Sequence, residues 1–113
     1  MQELTGPGAV ALAEAQALGA APLVLLDVRE PWEVALAAIS LPAATMRFVP
    51  MREIPGRIGE LDPAQPVVCI CHHGARSAQV VAFLERMGFA SAYNLAGGID
   101  AWSRDVDPGV ARY

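Results

Sequence analysis

Residues 71–77 read Cys-His-His-Gly-Ala-Arg-Ser, a thiol followed within a few positions by two imidazoles, a glycine and a guanidinium. The apolar run before it, Val67-Val68-Cys69-Ile70, reads as a strand, and from Ser77 onward the apolar residues recur at helical spacing. Cys71 therefore stands where a strand ends in front of a helix N-terminus. Unpaired N–H groups and the positive end of the helix dipole gather there, and both favour a thiolate and any anion brought to it. Gly74 allows a turn tight enough for the amides of His72, His73, Gly74 and Ala75 to face inward as an anion-binding nest. Arg76 adds a permanent cation, and Ser77 reads as the N-cap of the helix. The chemistry expected of this stretch is nucleophilic attack by the Cys71 sulfur, with the developing negative charge held by backbone amides.

Such a loop needs a rigid frame. Residues 23–26 (Leu-Val-Leu-Leu) and 67–71 are continuous apolar runs, the pattern of strands buried on both faces. Residues 92–95 form a third short run, 46–50 a weaker one nearer an edge, and 3–5 another candidate edge. Between them the period changes. Val80, Val81, Phe83, Leu84 and Met87 mark a helix that Gly88 is placed to end at C′. Pro7 opens a helix over residues 8–18, Pro31 opens one over 32–38, and residues 98–104 carry Ile99 and Trp102 on one side of another. Alternating strands and helices predict an α/β fold, a mostly parallel central sheet of about five strands with helices on both faces. In such a sheet the ligand sits beyond the carboxyl ends of the strands, just after Leu26, Ile70 and Leu95.

With 113 residues, 54% of them hydrophobic, the sequence predicts a single domain over 1–113. The longest weakly polar stretch, residues 17–26, is broken by Gly19 and Pro22 and is too short to span a bilayer, so no membrane association is expected. Glu3 stands where a secretory signal carries basic residues, which points to the cytoplasm. Net charge is -4 and the eight cations, all Arg, are scattered, which argues against a nucleic-acid partner. Cys69 and Cys71 lie roughly 6.6 Å apart on an extended strand, near the outer limit for a disulfide, so Cys69 reads as core packing or as a resolving thiol. A Cys-x-Cys-His-His metal site is disfavoured, because four ligands within five residues do not converge tetrahedrally from a strand and a tight loop.

The loop resembles the C-x-x-G-x-R-S active-site loop of single-domain rhodaneses, sulfurtransferases whose cysteine carries sulfur as a persulfide. Three further segments share the resemblance. Leu26-Asp27-Val28-Arg29-Glu30 is similar to their D-V-R-E segment, Leu84-Glu85-Arg86-Met87-Gly88-Phe89 to their L-x-x-x-G-F helix end, and Asn94-Leu95-Ala96-Gly97-Gly98-Ile99-Asp100-Ala101-Trp102 to their L-x-G-G-x-x-A-W close. Together these motifs cover about residues 23–102. One departure is Ala38, where such domains usually carry a histidine.

The resemblance implies a rhodanese-like fold, Cys71 as the nucleophile and a ping-pong reaction that needs no metal or organic cofactor. A small anionic sulfur donor such as thiosulfate gives sulfur to Cys71, and cyanide, a thiol or a thioredoxin-like protein collects it. His72, His73, Gly74, Ala75, Arg76 and Ser77 form the substrate-binding loop, with Arg76 directed at the substrate or persulfide. Asp27 and Arg29 belong at the same sheet edge, in a structural role or supporting the loop from behind. Two other readings stay open. A small cysteine phosphatase or arsenate reductase is disfavoured by the four residues between Cys71 and Arg76, where such enzymes have five. A non-catalytic module would use the same cradle to hold an anion or a persulfide.

Overall fold

The computed structural model describes residues 2–4, 23–39, 44–105 and 109–113. Its frame is a sheet of short parallel strands: β1 (Gln2–Leu4), β2 (Val24–Asp27), β3 (Thr45–Phe48), β4 (Val67–Ile70) and β5 (Ala92–Leu95). They lie in the order β1-β5-β4-β2-β3, with every neighbouring pair parallel. Every residue of β2, β4 and β5 is buried, as their unbroken apolar runs require, whereas β3 at one edge is mostly exposed. The three-residue β1 closes the other edge.

Among the described residues, four α-helices connect or cover these strands: α1 (Pro31–Leu36), α2 (Ile54–Arg57), α3 (Ala75–Arg86) and α4 (Gly98–Asp105). Strand side chains alternate between two cores. Leu25, Val68, Ile70, Tyr93 and Leu95 pack with Ile99 and Trp102 of α4 on one face. Val24, Leu26, Val67, Cys69 and Ala92 pack with Val80, Val81 and Leu84 of α3 and with Ile54 of α2 on the other. Both faces are thus covered, and among the described residues no helix is long and apolar enough to cross a membrane.

The helix ends show where sequence and structure diverge. At the C-terminus of α3, Gly88 (φ 94°) occupies C′, its N–H reaching the Glu85 carbonyl and the Phe89 N–H reaching that of Leu84, the paired bonds of a Schellman motif. At its N-terminus the helix starts three residues earlier than the sequence predicts. Gly74, at φ 104°, is the N-cap, and Ser77 lies inside the first turn. A glycine in the left-handed region turns the chain so sharply that Ala75 is already helical. In α2, Pro55 lies in the first turn, where a missing N–H leaves no bond unmade. The helix expected over 8–18 lies outside the described residues.

The strand order decides where the site falls. From β2 the chain proceeds to its edge-side neighbour β3, and from β4 to β5 on the other side. The connections leaving adjacent β2 and β4 therefore part, opening a crevice beyond their carboxyl ends. Asp27 and Ile70 are register partners there, and Cys71 is one step past them. The α3 face holds this geometry. Leu84→Ala, at a fully buried position on that face, is expected to lower unfolding free energy by about 2–5 kcal/mol in urea titrations.

Candidate active site

Cys71 follows β4 directly and is 1% exposed. Its Sγ accepts the Gly74 N–H at 3.0 Å and lies 3.3 Å from the Ser77 hydroxyl. That hydroxyl has one proton and three neighbours: Asn94 Oδ1 at 2.5 Å, the Gly74 carbonyl at 3.3 Å and the Cys71 sulfur. The shortest contact takes the proton at rest, and rotation about the Cβ–Oγ bond turns it to a charged sulfur. Asn94 also donates from Nδ2 to the Gly74 carbonyl at 3.1 Å, fixing the turn from below.

The loop is held from outside by α4. The N–H groups of Ile99 and Asp100 donate to the carbonyls of Cys71 and His72 at 2.9 and 3.1 Å. Across a trans peptide the C=O and the following N–H point oppositely, so carbonyls drawn toward α4 turn the amides of His72 and His73 away from it. Among the described residues, the amides of His72, His73, Ala75 and Arg76 donate to no protein group. Gly98, at φ 60°, permits this approach, since a Cβ there would collide with both carbonyls.

Two ion pairs stand behind the loop. Arg29 and Asp27 are buried and joined by bonds of 2.6 and 2.9 Å; the remaining Arg29 N–H directions reach the Ala37 carbonyl, the Glu33 carbonyl and the Tyr113 hydroxyl. All five are used inside the protein. Arg76 forms two 2.7 Å bonds to Glu33, a carboxylate only 3% exposed on α1. Arg76, expected at the substrate or persulfide, is held by Glu33. A cation at a helix N-terminus opposes the dipole and needs an anion, and Glu33 supplies it within the fold. Arg76 remains near enough to feel the charge of Cys71. The Arg76 guanidinium, together with the Glu30 amide and the Tyr113 hydroxyl, overcomes burial and lowers the Glu33 carboxyl from the ordinary 4.5 to about 2.

Cys69, two residues back within β4, is fully buried, and burial together with the charge of Cys71 pushes its thiol well above the usual range. Both thiols are free. The His72 ring lies between His73 (centroids 3.9 Å apart, planes at 24°) and Tyr113 (4.0 Å, 11°). With Asp100, the two histidines are the candidate metal cluster among the described residues. Their near-parallel rings aim ring-nitrogen lone pairs alongside one another rather than at a common point, and Arg112 already binds Asp100 at 3.0 Å.

A family model described as the rhodanese-like domain matches residues 11–105. The chain belongs to the rhodanese-like domain family. It is 42% identical over 89 residues to a sulfurtransferase of Allochromatium vinosum, covering 79% of each chain. It is 40% identical over 93 residues to rhodanese-like/PpiC domain-containing protein 12, chloroplastic, of Arabidopsis thaliana, covering 79% of this chain but 30% of that protein. A crystal structure of a rhodanese-like domain protein from Staphylococcus aureus superposes with a TM-score of 0.74 at 30% identity, over 100% of this chain and 99% of that one.

Within this rhodanese-like domain, the structure sets Gly74 and Ser77 against the Cys71 sulfur and places Asp27 and Arg29 at the end of the neighbouring strand. Glu33, Asn94 and Tyr113 join the site without having been singled out in the sequence. A polar Asn94 inside an otherwise apolar strand was a signal; Glu33 and Tyr113 gave none. Because the lowered Glu33 carboxyl contributes stability only while ionised, that contribution is present above pH 4.5 and is lost as pH falls toward about 2. Glu33→Gln is expected to lower stability at neutral pH by about 2 kcal/mol and to flatten the stability profile across that acid window, read by denaturant titration at several pH values.

Proposed function

We propose that this domain is a sulfurtransferase that carries sulfane sulfur as a persulfide on Cys71. The observation that carries this reading is a buried sulfur, contacted by the Gly74 N–H at 3.0 Å, in a turn whose other amides, those of His72 and His73, meet no protein acceptor among the described residues. That cradle fits one additional sulfur and its charge better than a tetrahedral phosphoryl group. The pairing of Arg76 to Glu33 also removes the cation on which a phosphate-binding loop would depend.

In the first half-reaction the Cys71 thiolate attacks the outer sulfur of a donor, here thiosulfate. The S–S bond of thiosulfate breaks, sulfite leaves with the bonding electron pair, and the persulfide anion remains on Cys71. The loop amides and the Ser77 hydroxyl take up the negative charge as it moves to the outer sulfur. In the second, a nucleophile attacks that outer sulfur and Cys71 departs as thiolate, stabilised by the same Gly74 N–H. Cyanide serves as an acceptor in the test tube; a thiol or a thioredoxin-like protein is the acceptor of matching chemistry in a reducing, cytoplasmic setting, where Cys71 stays reduced. No step calls for a metal or an organic cofactor.

Intact mass of the reduced protein tests both halves. Thiosulfate is expected to add one sulfur, roughly 32 Da, to the wild type and none to Cys71→Ser, and cyanide or a thiol to remove it. If no persulfide donor adds sulfur to Cys71, the domain is a binding module rather than an enzyme.

A further inference from the structure

Residues 109–113 carry none of the family motifs, yet they are fastened to the site at three points. The Val110 carbonyl accepts the Ser103 hydroxyl at 2.5 Å and the Val110 side chain packs on the α4-side core. Arg112 holds Asp100, whose own amide binds the His72 carbonyl. Tyr113 then reaches across to α1. Its hydroxyl donates to Glu33 Oε1 at 3.0 Å and accepts from Arg29 Nη1 at 3.0 Å, while its ring stacks on His72. Trp32 meets the ring edge-on at 6.3 Å, and the Arg29 guanidinium lies 5.7 Å from its centroid.

From these contacts we infer that Tyr113 is a positioning residue for the sulfur-carrying loop. The argument is one of constraint. His72 is the first residue of the turn after Cys71, and an imidazole packed between two rings has one orientation left to it. Fixing that side chain fixes the backbone to which it is attached, including the His72 and His73 amides that are turned away from α4. The hydroxyl acts on the other end of the loop. By binding Glu33 and Arg29 together, it joins the Asp27–Arg29 pair to the Glu33–Arg76 pair, and Arg76 is the second residue of α3, where the turn ends. One side chain thus braces both ends of the cradle, through its ring at the start and its oxygen at the finish.

The proposal concerns the loop of the sulfurtransferase reading and rests on it for turnover, but its main test requires no sulfur donor. Cys71 and Cys69 provide an internal comparison, because both are buried and only Cys71 belongs to the loop. Tyr113→Leu removes ring and hydroxyl, whereas Tyr113→Phe keeps the ring. With iodoacetamide at neutral pH and peptide mapping, the Leu variant is expected to alkylate Cys71 about tenfold faster than wild type with Cys69 still protected, and the Phe variant to stay within about threefold of wild type. In thiosulfate-to-cyanide turnover, kcat/KM falls about tenfold in the Leu variant and is restored to within about threefold by Phe. Cys71 labelling at the wild-type rate in the Leu variant overturns the proposal. So does labelling of Cys69 and Cys71 together, which would mean that Tyr113 supports the whole fold rather than the loop. Absence of turnover in every variant, wild type included, would instead count against the sulfurtransferase reading and leave the alkylation result to decide the role of Tyr113.

Discussion

Two N–H groups at the start of α4, those of Ile99 and Asp100, bind the carbonyls of Cys71 and His72, and the cradle depends on this exchange. A four-residue turn between a buried strand and a helix has too few atoms to choose its own orientation. By drawing the carbonyls outward, α4 leaves the amides directed the other way, where no protein acceptor meets them. The same bonds satisfy donors that α4 would otherwise leave unpaired at its own N-terminus. One helix start therefore spends its donors to orient the loop, and the other, that of α3, keeps its donors free at the sulfur. Gly98 makes the arrangement possible, since any side chain there would force the two segments apart.

The charges follow from the same economy of space. Both arginines beside the site are matched by a carboxylate within bonding distance, Arg29 by Asp27 and Arg76 by Glu33. Burying these groups unpaired would be far more costly than the pairs themselves, and pairing leaves the immediate surroundings of Cys71 with little net fixed charge. Negative charge on the sulfur then falls to backbone dipoles, which are rigid and in place before any substrate arrives. The arginines hold α1 against α3 and the end of β2.

Much of this was legible in the sequence, and the reasons differ from residue to residue. Continuous apolar runs exposed β2, β4 and β5 because burial on both faces leaves no alternation to misread, and the Val80-to-Leu84 spacing with Gly88 exposed α3. The position of Cys71 at a strand end before a glycine marked it as the candidate nucleophile. What stayed hidden was pairing over long sequence separation. Nothing local distinguishes Glu33 from any acid in a first helical turn, and its partner Arg76 lies forty-three positions away. Tyr113 is eighty from Glu33. Such contacts are set by which strand ends meet at the switch point, a property of strand order rather than of any window of residues. The start of α3 was misplaced for a smaller reason, because Ser77 has an N-cap side chain and Gly74 acts through its φ alone.

The two cysteines show how little separates a thiol that meets only core from one that meets a backbone amide. Spaced by two, Cys69 and Cys71 pack in the same core on the α3 side of the sheet, among similar apolar neighbours. Cys69 is still in the ladder, paired with Leu26 on one side and Asn94 on the other, and its sulfur meets only core. Cys71 is one residue beyond the last β4 position. There the backbone leaves the ladder, its carbonyl goes to α4, and the turn returns an N–H to the sulfur at 3.0 Å. The amide contact to Cys71 is thus assigned by where the sheet stops. Extending β4 by one residue would commit that carbonyl to a strand neighbour, release the α4 bonds and remove the cradle, with every side chain of the loop unchanged.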